Sequence, residues 1–179
     1  IGDEIYLTPN RESNQKYYHF LLNAKNAKGW RALKELSSHA WMLSYYDRGM
    51  ERVPTTYDEL AAIVKKYPDS LIATSACIGG ELSSTVLELC EAELTGNILG
   101  VEQAHNHIVN FVLWAKELFQ NNFFIEIAPG CSKEQIMVNK RLKAIANAFD
   151  VKMIIGSDAH YLTKKDRYVH ESYLNSKNG

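Results

Sequence analysis

Met153-Ile154-Ile155-Gly156-Ser157-Asp158-Ala159-His160-Tyr161 is a short apolar run that stops at a glycine and then presents an Asp and a His two residues apart. Continuous apolar runs of this length are the mark of strands buried on both faces of a parallel sheet. In such sheets functional groups gather just beyond the carboxyl ends of the strands. A carboxylate beside an imidazole suits zinc, manganese or iron, and either group can do acid–base work. The alternative is an Asp that caps a helix beside a surface His.

Working outward, similar runs at Ser70–Thr74 and Phe123–Ile127 predict two more buried strands, and Ile1–Leu7 and Tyr18–Asn23 predict two further ones. Helical patterns lie between them. Trp30, Leu33 and Leu36 share one face. After Pro54, Thr55 with Asp58 has the form of a capping box, followed by Leu60, Ala61, Val64 and Tyr67. Ala104, Ile108, Val112, Ala115 and Phe119 mark a longer helix. Ser132 with Gln135 opens another, carrying Val138, Leu142, Ile145 and Phe149, and Thr163 with Asp166 starts a last one. Cys90–Val101, with Gly96 and Gly100, is expected to be a loop. Strands alternating with helices predict an α/β protein with parallel strands, and no linker or repeat divides the chain, so one domain over residues 1–179 is expected.

Composition excludes several classes. No apolar run approaches the roughly 18 residues that span a bilayer, so no membrane partner is expected. Cys77, Cys90 and Cys131 are odd in number and form no C-x-x-C pair, which fits a reducing cytoplasm better than a disulfide framework. With 20 Lys and Arg against 21 Asp and Glu, long contact with duplex DNA is not the expected task. The chain opens on a strand-like segment without an initiator Met, as a cut edge would. No P-loop, G-x-S-x-G, G-x-G-x-x-G or H-E-x-x-H is present.

Other residues carry weaker signals. Cys77 follows a strand and precedes Gly79-Gly80, a place for a thiolate ligand or a nucleophile, although a lone Cys there is also an ordinary small core residue. His19 lies among aromatics, as a core histidine would. Glu4 lies in an apolar segment, where a carboxylate needs a metal, another partner or water. His105 and His107 sit on different faces of a helix and are not expected to chelate. His39 and His170 are assigned to packing or capping.

Taken together these segments resemble the PHP (polymerase and histidinol phosphatase) domain of the bacterial DNA polymerase III alpha subunit. Gly2-Asp3-Glu4-Ile5-Tyr6 is similar to its G-x-E-x-Y segment, Tyr18–Asn26 to its H-L-x-L-L-A-x-N strand, and Gly29–Ser38 to the helix that follows. Ser75–Glu81 resembles the S-x-C-L-G-G-E turn, Phe123–Ile127 the F-x-E strand, and Ser157–Tyr161 the N-D-x-H-Y motif with Ser157 for the usual Asn. Asp166–Gly179 resembles the helix leading to the polymerase body.

The resemblance implies a distorted (β/α)7 TIM-like barrel, here its C-terminal portion, because the opening H-x-H and T-D-H motifs and the first strands are absent. It implies that Glu4, His19, Cys77, Asp158 and His160 are metal ligands, with Asp158 and His160 catalytic. Zinc or manganese would be the ions, with iron also suited. The implied activity is metal-dependent phosphodiester hydrolysis of the 3'-to-5' proofreading kind within a replicative DNA polymerase. Its partners would be the rest of the alpha subunit, a primer terminus and replisome subunits. The fragment alone would be inactive, because part of its ligand set is missing. The alternatives are a non-catalytic structural module of the polymerase and a stand-alone PHP phosphatase. The short Ile5–Tyr18 stretch leaves no room for an inserted exonuclease, and the long Leu89–Asn106 segment points to a phage or otherwise divergent lineage.

Overall fold

The computed structural model describes residues 1–12, 15–47 and 49–178. Gly179, the end of the stretch compared with the polymerase-linking helix, lies outside them. Among the described residues the strands are β1 (Gly2–Thr8), β2 (Tyr18–Ala24), β3 (Tyr45–Asp47), β4 (Met50–Arg52), β5 (Pro54–Thr56), β6 (Leu71–Thr74), β7 (Phe123–Ile127) and β8 (Met153–Ile155). The helices are α1 (Ala27–Met42), α2 (Tyr57–Lys66), α3 (Glu81–Thr95), α4 (Ile98–Phe119), α5 (Lys133–Ala148) and α6 (Arg167–Asn178).

Six strands form one sheet in the order β5-β1-β2-β6-β7-β8, and β3 with β4 makes a separate two-stranded ribbon. The β1–β5, β6–β7 and β7–β8 pairings are parallel. Against expectation, β2 runs antiparallel to both β1 and β6. Parallel neighbours need a crossover of a dozen or more residues, usually a helix. The described residues between β1 and β2 form no helix, so the chain reverses. The result is a mixed α/β sheet dominated by parallel strands, open along β5 and β8 among the described residues.

Alternation along the strands separates two faces. Ile5, Leu7, Phe20, Leu22, Leu71, Ala73, Phe123 and Ile125 point into one core with Leu33, Leu36, Leu60, Val86, Val112, Val138 and Leu142 of α1 to α5. Phe20 sits at its centre, against the rings of Phe111, Trp114 and Phe119. The other face lacks a helical layer among the described residues. It carries Glu4, Tyr6, His19, Leu21 and Asn23, all exposed or half-buried.

Several local expectations shift. The capping box of α2 is Thr56 with Glu59, not Thr55 with Asp58: Thr56 Oγ1 accepts the Glu59 N–H and the Glu59 carboxylate accepts the Thr56 N–H. The expected loop at Cys90–Val101 is mostly helical. Gly96, at φ +69°, ends α3, and Asn97 caps α4 by accepting the Gly100 N–H. Ser132 caps α5 as expected. Thr163 with Asp166 forms the expected box, but over a 3-10 turn that precedes α6. Strand β8 is not buried on both faces; Met153, Ile154 and Ile155 are all exposed, because β8 is a sheet edge with no helix over it among the described residues.

Candidate metal centre

The carboxyl edge of the sheet gathers the residues singled out from the sequence. Cys77 follows β6, Asp158 follows β8, and His19 opens the reversed strand β2, which brings it to the same edge. Tyr6 pairs with His19 and Glu4 with Leu21 in the β1–β2 ladder, so Glu4, Tyr6 and His19 share the face that the helices leave open.

His19 is the hub. Its Nδ1 lies 3.0 Å from Glu4 Oε1 and 3.5 Å from Cys77 Sγ, and the Tyr6 ring meets the imidazole edge-on. The turn after β6 is built to bring the thiol there. The His19 N–H donates to Gly79 O, the Gly79 N–H donates to Cys77 Sγ, and the Gly80 N–H donates to Cys77 O. A side chain at Gly80 would run into the carbonyl oxygen of Ser75, so this close approach requires glycine. Burial pushes the Cys77 thiol up from its ordinary range, the negative charges of Asp158 and Glu4 add to this, and the Gly79 N–H opposes it. Asp158 is therefore near enough for its charge to reach the sulfur.

His160 engages its own turn and α6. Its Nδ1–H donates to the Asp158 carbonyl oxygen at 2.8 Å, and its ring packs beside His170 of α6 at 5.1 Å between centroids. The structure thus brings Glu4, His19 and Cys77 into contact and puts Asp158 within electrostatic range, while His160 faces α6. By chemistry the carboxylate, imidazole and thiol match a zinc, manganese or iron site. By geometry they close on one another, and no three His, Cys, Asp or Glu side chains among the described residues are arranged around one ion position.

Two buried carboxylates, Glu81 and Glu126, lie in the motifs named from the sequence but are not among the residues singled out there as functional. Glu81, in the first turn of α3, accepts from the Tyr57 hydroxyl and from His107 Nε2 at 2.6 Å. Burial and the Glu81 charge push the Tyr57 phenol well up. Through this contact His107 holds α4 to α3. Glu126, on β7, is 7% exposed and accepts from the Thr74 hydroxyl at 2.5 Å. The reasoning that flagged Glu4, a charge inside an apolar strand, would have found Glu126 too. His39, exposed in the last turn of α1, lies 3.6 Å from Glu59, so it faces a carboxylate instead of the packing or capping role expected of it. A concavity of about 470 Å³ lined by Tyr67, Leu71, Trp114 and Phe119 opens at the opposite, amino edge of the sheet, away from these donors.

Residues 1–130 match the PHP domain family model, and the chain belongs to that family. Over its whole length it is 40% identical to a probable DNA polymerase, YorL, of Bacillus subtilis (strain 168), and to a DNA-directed DNA polymerase of Bacillus phage SPbeta, covering 14% of each. It is 31% identical to the DNA polymerase III subunit alpha of Borreliella burgdorferi over 93% of this chain and 13% of that protein. The chain therefore spans about one-seventh of the length of these relatives. Among the described residues no helix is long and apolar enough to cross a membrane.

Proposed function

We propose that residues 1–179 are the C-terminal portion of the PHP domain of a replicative DNA polymerase of the alpha-subunit type. Its open sheet face contributes to a divalent-metal site for 3'-to-5' phosphodiester hydrolysis. The observation that carries this is the contact of Glu4, His19 and Cys77 at the carboxyl edge of the sheet, with Asp158 on the neighbouring turn. Scattered over the sequence, these groups have no reason to meet unless the fold collects them.

Glu4, His19, Cys77 and Asp158 would hold the ions, zinc or manganese by donor type with iron also suited, and His160 would join them by turning from the Asp158 carbonyl. Bound ions supply charge stabilisation at phosphoryl oxygens and readier ionisation of an attacking water. The chain's own residues do the positioning. Glu4 and Tyr6 fix the His19 ring, and the Gly79 N–H aims the Cys77 sulfur. A TIM-like barrel closing over this face, cytoplasmic location, and contact with a primer end and replisome subunits belong to the same proposal. So does docking of the polymerase body on α6, which exposes Tyr168, Val169 and Leu174.

A second reading, a structural module without catalysis, is favoured by the direct engagement of the donors with one another and of His160 with the Asp158 carbonyl. A stand-alone phosphatase is disfavoured by relatives named as DNA polymerases, which align with 100% and 93% of this chain within much longer proteins. The test is an assay of the full-length polymerase with manganese on a single-stranded primer end. Asp158→Ala abolishes nuclease activity and spares polymerisation if the site is catalytic; unchanged nuclease activity rejects catalysis.

A further inference from the structure

Both turns that carry proposed ligands contain a non-glycine residue in the left-handed region. Ala76, immediately before Cys77, has φ +59°, and Asp158 itself has φ +46°. For residues with a side chain this region is sparsely populated, and such conformations persist only where the surroundings impose them. Something must hold each turn.

The same carboxylate touches both. Glu126 Oε2 accepts from the Thr74 hydroxyl at 2.5 Å, and Thr74 Oγ1 in turn accepts the Ala76 N–H at 3.2 Å. Because the Thr74 proton is committed to Glu126, the oxygen's lone pairs face the Ala76 amide. The other oxygen, Oε1, occupies the space that a side chain at Gly156 would need, so the end of β8 rests directly on the carboxylate. The backbone of Glu126 reinforces the junction: its N–H donates to Ser75 Oγ at 2.9 Å, while the Ser75 N–H donates to Phe124 O at 3.1 Å. The Gly156 N–H donates to Ile127 O at 3.0 Å, which pins the exit of β8 to β7.

Resting on the metal-site reading above, we propose that Glu126 is a positioning residue. It ties the Thr74–Cys77 turn to the Gly156–Asp158 turn so that the Cys77 thiol and the Asp158 carboxylate stand on one site. It acts through Thr74 and Gly156 and does not itself bind the ion. Outer-shell partners of this kind fix ligand orientation, and their loss typically weakens metal binding about 10- to 100-fold. A carboxylate suits the role because one oxygen can fix a hydroxyl proton while the other fills the glycine cleft.

The test compares Glu126→Ala, Glu126→Gln and Thr74→Val in the 179-residue chain, by amide hydrogen exchange without metal and by zinc titration. Glu126→Ala and Thr74→Val should each speed exchange at the Ala76 amide by about tenfold or more, with Leu22 and Ile125 unchanged. Zinc affinity should fall about 10- to 100-fold. Glu126→Gln, whose amide oxygen accepts the Thr74 hydroxyl, should restore both. Should Glu126→Ala fail to fold, the other two variants carry the comparison. Unchanged Ala76 exchange in Glu126→Ala and Thr74→Val overturns the proposal. So does a Glu126→Gln chain that protects Ala76 yet binds zinc as poorly as Glu126→Ala, which would make Glu126 a ligand. If the unsubstituted chain binds no zinc, the titration is repeated in the full-length polymerase, where failure of zinc to bind this site sinks the metal reading, while Ala76 exchange still decides what Glu126 does.

Discussion

His107 Nε2 lies 2.6 Å from Glu81 Oε1 across 26 positions of sequence, clasping the middle of α4 to the first turn of α3 directly after the Cys77 turn. The Glu81 hydrogen bond, assisted by the charges of Glu81 and Glu88 and opposed by burial and Lys16, raises the His107 pKa. A raised histidine stabilises the fold fully below its unfolded value of about 6.5 and loses that contribution as pH climbs through the folded value. His107→Gln should therefore cost most stability below about pH 6 and progressively less above neutrality. Urea midpoints of both chains across this range check it; a pH-independent difference would contradict it.

Arg11 grips Glu59 through both nitrogens, at 2.5 and 2.7 Å, and also donates to Pro54 O at 3.1 Å. Both side chains are largely buried, and Glu59 also closes the capping box of α2. Forked, charge-assisted pairs exceed ordinary surface bridges. Arg11→Ala should destabilise the chain by about 1–3 kcal/mol. A double-mutant cycle with Glu59→Gln should show coupling between the two sites; strictly additive losses would count against the pairing. Burial works against the Glu59 charge, but Arg11 and the Thr56 N–H outweigh it and lower its pKa. That increment is present above the usual carboxylate range and disappears as pH falls through the depressed value.

Phe20 is fully buried among Phe111, Trp114 and Phe119. Phe20→Ala should cost about 3–5 kcal/mol by chemical denaturation, from lost transfer energy plus the cavity left behind. A loss below about 1 kcal/mol would mean that this core is not packed as described.

Gly80 lets the turn after β6 fold back on the Ser75 carbonyl oxygen. Gly80→Ala forces that turn apart and should cost about 1–3 kcal/mol. It should also make the Cys77 thiol easier to alkylate, because the Gly79 contacts to Cys77 and His19 loosen. An alkylation rate equal to that of the unsubstituted chain would refute the role given to Gly80.

Five of the six sheet strands were legible: β1, β2, β6 and β7 bury one flank under helices, which leaves a pattern, and β8 shows as an apolar run ending at Gly156. The short polar strand Pro54–Thr56 leaves none. Orientation was not legible either: β2 reverses for want of a crossover, which is a property of the connection and not of Tyr18–Ala24. Of the adjacent Thr55 and Thr56, only the second has a Glu three residues on, and only Glu59 closes the box. At the site, Glu4, His19 and Cys77 gave weak local signals, and the ordered family motifs were what joined them into one expected set. The pairing of Glu81 with Tyr57 and His107 spans more than twenty residues in each case, so no local pattern could show it.

Cobalt(II) titration of the chain, followed by thiolate-to-metal absorption, asks most directly whether these side chains act as one centre. A saturable near-ultraviolet band should appear and vanish in Cys77→Ser. It should weaken in Glu4→Gln, His19→Gln and Asp158→Asn, each with its thermal midpoint retained. No band, or a band indifferent to Glu4, His19 and Asp158, would mean that they do not form a metal site.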